Sequence, residues 1–282
     1  MQNFLVFQAL WAMEGHRTNG VETPLDGKLE RIREAGFDGI SADYTRREDV
    51  SRLAPLLRER GLQAEGQCFP KSVDDLKPVL ENAAHHGVHH VCIQPDVRSS
   101  DVDFCLHLLD GWSKLAEEVD FPVLIETHRG RMTSDLHFTL ALLDRRPQLP
   151  LLADLSHYVA GDEIVLPVSL ENQGLVQRIL DQSWAFHGRI ASCEQIQISL
   201  AYPHHKIWLD QFMAWWAHGF RSWSKRAGEN DTLAFVCELG PQPYAISGPD
   251  GKDATDHWAE ALVMKDMVHA LWDDIRREPV AS

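Results

Sequence analysis

Four short apolar runs in the second half of the sequence each end in a group able to ligate a cation: Ile125-Glu126-Thr127-His128, Ala153-Asp154-Leu155-Ser156-His157, Phe186-His187-Gly188-Arg189 and Cys237-Glu238-Leu239-Gly240-Pro241. Glu126, Asp154, His187 and Glu238 together carry three negative charges and one imidazole. Gathering them in one cavity is strongly repulsive unless a cation joins them. One divalent ion fits such an oxygen-rich set with a single histidine: Mn²⁺ first, with Mg²⁺, Co²⁺, Zn²⁺ and Fe²⁺ as further candidates. A cation so held polarises a carbonyl and an adjacent hydroxyl, so that a nearby carboxylate can remove the proton between them and leave an enediolate. Return of the proton to the opposite face gives an epimer, return to the neighbouring carbon gives an isomer, and loss of a β-leaving group makes the reaction a lyase or dehydratase step.

The same residues have plainer readings. Glu126 and Glu238 end apolar strands and could form buried salt bridges, Asp154 could cap the segment after it, and His187 could be a core histidine. His128 and Arg189 are candidates for substrate contact or for neutralising the carboxylates. Arg129 and Arg131 could bind an anionic substrate group or stay solvated. Gln94, Gln67 and Asp43 close earlier strands, where they are candidates for contacting hydroxyls. The pairs His85-His86, His89-His90 and His204-His205 do not read as metal tracts, because neighbours in a strand point to opposite faces. Trp11, Phe69, Tyr158 and Tyr202 are candidates for shaping a pocket.

The elements that must carry these groups alternate in the manner of parallel strands joined by crossover helices. Strands are expected at 4–10, 37–43, 62–68, 88–94, 122–127, 151–155, 184–190 and 232–239, spaced by roughly 30 residues as in an eight-unit barrel. Leu25, Leu29 and Ile32 share a helical face, as do Val50, Leu53 and Leu57, then Val73, Leu76, Leu80 and Ala83; the last helix is expected to bury Ala259, Val263, Met267 and Leu271. Gly36, Gly61 and Gly87 sit between helix and strand, where a left-handed cap suits glycine. Residues 191–205 form the longest expected irregular piece, a candidate lid, and Trp208, Trp215, Trp216 and Trp223 crowd the helix after it as core or interface. The fold class is therefore α/β, a single (β/α)₈ TIM barrel over residues 1–282 as one domain.

The ordered set Glu, Asp-x-x-His, His, Glu at the ends of strands five to eight resembles the xylose-isomerase-like superfamily of sugar isomerases and epimerases across essentially the whole chain. Its ketose 3-epimerase branch implies that Glu126, Asp154, His187 and Glu238 hold the metal, that Glu126 and Glu238 exchange the substrate proton, and that His157 hydrogen-bonds substrate. It also implies a homodimer or homotetramer. The pattern places an arginine several residues after the seventh-strand histidine. This chain has Ala191-Ser192-Cys193-Glu194 there, and Arg189 is the nearer candidate.

With 27 basic and 42 acidic side chains, the formal charge is −15 with histidines neutral. That balance, with no basic stripe, opposes a nucleic-acid partner and the DNA-repair endonuclease branch. The five cysteines form no CxxC pair, which fits a reducing, cytoplasmic setting. The run MQNFLVFQALWAMEGH lacks a basic leader region, and no stretch of 18 apolar residues occurs, so no membrane partner is expected. The expectation is a metal-dependent isomerase or epimerase of a small ketose, keto-sugar or polyol derivative. The alternatives are a lyase or dehydratase of a keto-sugar or inosose and, behind these, a non-catalytic sugar-binding barrel.

Overall fold

The computed structural model describes residues 1–18 and 20–278. Eight parallel strands close into a barrel: β1 (Asn3–Ala9), β2 (Gly39–Asp43), β3 (Gln63–Cys68), β4 (His90–Ile93), β5 (Val123–Glu126), β6 (Leu151–Ala153), β7 (Ser183–Gly188) and β8 (Thr232–Cys237), with β1 paired to both β2 and β8. All eight expected strands are present, their ends within two residues of the expected ones; β1 keeps its expected length one residue earlier, and the other seven are shorter than expected. Helices α1 (Leu25–Glu34), α2 (Arg47–Arg60), α3 (Val73–His86), α4 (Val102–Ala116), α5 (Leu136–Arg145), α6 (Leu170–Leu180), α7 (Lys206–Arg226) and α8 (His257–Arg277) return the chain after each strand. A short helix, Ser156–Gly161, follows β6 directly. Among the described residues no helix is long and apolar enough to cross a membrane.

Two apolar cores result from the two faces of each strand. Side chains facing outward pack against the helices, while Phe7, Ala9, Cys92, Leu124, Leu152, Ala185, Ala234 and Val236 fill the lumen. Alternation is therefore strict, but both faces are buried, as a parallel barrel requires. Trp208, Trp215, Trp216 and Trp223 all lie in the outer core. In α8 the buried stripe is Trp258, Ala261, Met264, Val268, Trp272 and Ile275, whereas Ala259 and Val263 are exposed. The expected face was thus displaced around the helix: the large tryptophans, which bury the most area, set its rotation.

Gly61, at φ 66°, ends α2 in the left-handed conformation, its N–H on the Arg58 and Leu57 carbonyls, which is the cap its position before β3 suggested. The longest irregular stretch is 238–256, after β8, rather than 191–205. The latter is pinned: Gln197 donates to the Gly240 carbonyl at 2.9 Å and accepts its N–H at 3.0 Å, and Ser199 donates to Glu260. Tyr202 stacks on His204 and His205.

Gly188 ends β7 on its outward face, between His187 and Arg189, and has no room for a side chain. A Cβ there would stand 2.3 Å from the Phe235 ring and 2.7 Å from the Met264 sulfur. Gly188→Ala is expected to lower stability by about 1–3 kcal/mol or more through overpacking, read as a fall in the midpoint of thermal or urea unfolding. An unchanged midpoint would show that Phe235 and Met264 yield freely.

Candidate metal centre

Glu126 is the last residue of β5, Asp154 and Glu238 are the first residues beyond β6 and β8, and His187 is the penultimate residue of β7. Strand direction and alternation bring all four to the C-terminal mouth of the lumen. One ligand atom from each lies within 4.8 Å of the others, the spread of donors that surround a common cation at about 2.0–2.3 Å. All four are buried. His187 Nδ1 stands 3.5 Å from Glu126 Oε1 and 3.5 Å from Glu238 Oε2.

The surrounding donors engage the other atoms of these groups. Glu126 Oε2 accepts the Cys92 thiol at 3.0 Å. Asp154 Oδ1 accepts from the Ser156 N–H at 2.9 Å and its hydroxyl at 2.6 Å. His187 Nε2 meets both oxygens of Glu65 at 3.0 Å. Left without hydrogen-bond partners are Glu126 Oε1, Asp154 Oδ2 and His187 Nδ1, three buried acceptor atoms on three adjacent strands. A buried polar atom without a partner is costly; three together, with Glu238 beside them, fit a divalent cation held by Glu126, Asp154, His187 and Glu238.

Glu238 is the most tightly held of the set. Trp11 Nε1 and Gln67 Nε2 donate to Oε1 at 3.2 and 3.3 Å, and Arg189 donates to Oε2 at 2.7 Å. Burial acts to raise its pKa, but His187 and Arg189 outweigh it and hold the carboxyl at about 2. Asp154, where burial outweighs the pull of Arg189, is pushed up to about 6. His187 is raised well above the ordinary imidazole value: burial lowers it, and Glu65, Glu238 and Glu126 more than reverse that.

The predicted substrate contacts divide. Arg189 is buried, 3.4 Å from both Asp154 Oδ2 and His157 Nε2, and packs 4.5 Å from the Tyr244 ring and 5.8 Å from Trp11. His157 is fully buried, its Nδ1 without a partner, and its ring lies 3.8 Å from that of His128. Burial lowers the pKa of both rings. Gln94 is buried at the end of β4, its backbone N–H on the Cys68 carbonyl, and no side-chain hydrogen bond joins it to the cluster among the described residues. Arg131 pairs with Asp96, and Arg129 lies over Tyr244 at 5.5 Å. Trp11 and Tyr244, with centroids 5.3 Å apart, cover the mouth. Tyr158 faces Thr139 in the outer core.

Glu65, Cys92 and Tyr244 were not singled out in the sequence. Glu65 lies two residues before Gln67 and therefore on the same lumen face, and Cys92 stands in the same relation to Gln94. Extending the two-residue period back from the strand ends would have found both. His89 and His90 do not diverge as their adjacency suggested. His89 precedes β4 and bends back, so that the two Nδ1 atoms lie 2.8 Å apart.

The molecule is thus an eight-stranded parallel barrel with a cation-ready cluster at the strand C-termini. More particularly, it has the fold of the xylose-isomerase-like barrels. A xylose isomerase-like TIM barrel protein from Mycobacterium smegmatis in complex with magnesium matches over 96% of this chain and 97% of its own at 12% identity, with a TM-score of 0.65. A sugar phosphate isomerase/epimerase from Parabacteroides distasonis matches over 97% and 95% at 9% identity and TM-score 0.62. A probable 3-DHS dehydratase involved in petrobactin synthesis, from Bacillus anthracis, matches over 94% and 99% at 15% identity and TM-score 0.52. At these identities the likeness is one of fold. No protein-family model and no curated protein matches the sequence.

Removing one charge from the cluster separates its cost from its use. Glu126→Gln keeps an acceptor for Cys92 but takes away a charge that supports protonated His187 from 3.5 Å. In metal-free protein its melting temperature is therefore expected to fall by a few °C, at about 2–4 °C per kcal/mol, while the rise that Mn²⁺ gives wild type disappears. A variant that melts above wild type without metal would show that repulsion among the carboxylates outweighs the pairing with His187.

Proposed function

We propose that the protein is a divalent-metal-dependent isomerase or epimerase of a small ketose, keto-sugar or polyol derivative. The observation that carries this reading is the convergence of three unpartnered buried acceptors with Glu238 at the catalytic end of the barrel. A divalent cation, Mn²⁺ before Mg²⁺, Co²⁺, Zn²⁺ or Fe²⁺, supplies Lewis-acid polarisation of a substrate carbonyl and its neighbouring hydroxyl.

The chain's own groups do the rest. Glu126 Oε1 takes the proton next to the carbonyl, because it is free of other donors while Cys92 fixes Oε2. Glu238, ionised at rest, first takes a proton from solvent once substrate has loosened the donors on its oxygens, and then returns it to the carbon on the other side. Arg189, His157 and His128 line the same space and orient hydroxyl or carbonyl oxygens, while Trp11 and Tyr244 exclude water. Fold-level likeness to isomerase/epimerase barrels supports the class. We further propose one domain over 1–282, a cytoplasmic setting consistent with five free cysteines, a homodimer or homotetramer, and no nucleic-acid partner.

A lyase or dehydratase is the second reading, and a specific observation favours it. Glu238 is held at about 2 with donors on both oxygens, and His157 Nδ1 is unpartnered. One free carboxylate base, with no second carboxylate ready to return a proton, suits loss of a hydroxyl better than epimerisation.

Elemental analysis after equilibration with Mn²⁺ should find one tightly bound ion in wild type and a greatly reduced amount in Glu238→Gln. A screen of ketoses and inososes in D₂O by NMR should then find metal-dependent exchange of the carbon-bound proton, slowed about 10²–10⁴-fold in Glu126→Gln. Exchange with an epimeric or isomeric product supports the first reading, and an unsaturated dehydrated product the second. Absence of bound metal in wild type would overturn both.

A further inference from the structure

Behind His187 the lumen holds a second polar layer outside the ligand set. Ser41, Glu65 and His90 stand in register across β2, β3 and β4, all three buried. Ser41 donates to Glu65 Oε1 at 2.6 Å, and His90 Nε2 meets Glu65 Oε2 at 2.7 Å. Across the lumen, Glu65 faces His187 Nε2 with both oxygens at 3.0 Å. An ionised carboxylate only accepts, so each imidazole nitrogen on Glu65 carries a hydrogen. His90 Nδ1 lies 2.8 Å from His89 Nδ1, so one of the two rings donates to the other. The four groups form one connected chain, His89 to His90 to Glu65 to His187, with Glu65 accepting from both of its imidazole neighbours.

The chain decides which nitrogen of His187 faces the ligand cluster with a lone pair. Glu126 and Glu238 lie 3.5 Å from Nδ1, and left to themselves these two carboxylates would draw the ring's single hydrogen of the neutral form onto Nδ1. That tautomer presents N–H to the cluster and cannot ligate through Nδ1. Glu65, with two oxygens at shorter range, holds the hydrogen on Nε2.

We infer that Glu65 is a positioning residue that fixes the Nε2–H tautomer of His187 and so turns its Nδ1 lone pair toward the cation, with Ser41 and His90 holding Glu65 in place. The assignment rests on the metal reading for its purpose and on hydrogen-bond geometry for its content. Partners of this kind, donating no ligand themselves, typically contribute 10–100-fold in metal affinity.

The test uses the full chain labelled with ¹⁵N-histidine, with His187→Gln to assign the His187 signals, beside Mn²⁺ dissociation constants from chelator competition. In metal-free wild type titrated above the raised His187 pKa, so that the ring is neutral, Nε2 should carry its single hydrogen. In Glu65→Leu, Nε2 should lose it and the hydrogen should reside on Nδ1, with Mn²⁺ binding weakened about 10–100-fold. Glu65→Gln, whose amide oxygen still accepts from Nε2–H, should keep the wild-type tautomer and most of the affinity. A bare His187 Nε2 in wild type overturns the inference, and so does a folded Glu65→Leu with unchanged spectrum and affinity. If Glu65→Leu does not fold, the wild-type spectrum and the Gln variant still decide. Wild type that binds no Mn²⁺ yet shows the Nε2–H signal would overturn the metal reading and leave the tautomer assignment standing.

Discussion

Four carboxylates, Glu65, Glu126, Asp154 and Glu238, are buried inside a barrel lumen a few side chains wide, and the requirement to compensate them governs the surrounding choices. In such a place water cannot supply hydrogen bonds, so the protein must. Almost every polar group nearby is a donor: Ser41, Gln67, Cys92, Ser156, Trp11, His90 and Arg189. Their distribution is uneven. Glu65 and Glu238 are supplied on both oxygens, while Glu126 and Asp154 are each supplied on one, and the two neglected oxygens share a region with His187 Nδ1. None of the three makes a hydrogen bond; their nearest polar neighbours are one another and the charged groups around them, Arg189 and His157 beside Asp154 Oδ2 and Glu238 beside His187 Nδ1.

Much of this was legible because a parallel barrel imposes simple rules on sequence. Short apolar runs separated by helical stretches and glycine caps locate the strands, and polar residues at their C-terminal ends point to the mouth. Glu126, Asp154, His187 and Glu238 could be read that way and do converge. Glu65 was harder for a definite physical reason. Gln63, Glu65 and Gln67 alternate with Ala64 and Gly66, a pattern that in a half-exposed strand means a solvated face. Only closure of the barrel turns that face inward. The rotation of α8 was missed for a related reason: period alone leaves neighbouring faces nearly equivalent, and the tryptophans at 258 and 272 decide between them by size.

Adjacent residues in irregular backbone were misread as strand neighbours. His89 and His90 would diverge if both belonged to β4, but the strand begins at His90 and the turn before it folds one ring onto the other. The expectation that 191–205 is the longest irregular piece and the lid failed for a different reason. The segment after β7 is anchored by Gln197 and Ser199, while the longer one after β8 carries Tyr244 onto Arg189. The longer of the two loops is thus the one that reaches over the mouth, while side-chain anchoring, which leaves no periodic trace, holds the shorter one down.

The cover is tied to the cluster it hides. Trp11 packs against Tyr244 over the mouth, and the same indole donates its N–H to Glu238. Gly240 permits this closeness, since a Cβ there would lie 2.1 Å from the Trp11 ring. Any ligand that lifts Trp11 from the mouth therefore removes a donor from Glu238 Oε1, and a carboxylate that loses a hydrogen bond to its charged form becomes more basic. Entry at the mouth and the readiness of Glu238 to accept a proton are thus linked through one side chain. A cavity of about 850 Å³ among Trp112, Pro122, Pro150 and Trp184 opens around the strand starts instead and has no such link to Glu238. What distinguishes the C-terminal end of this barrel is therefore not its volume but the coupling of its cover to its charge.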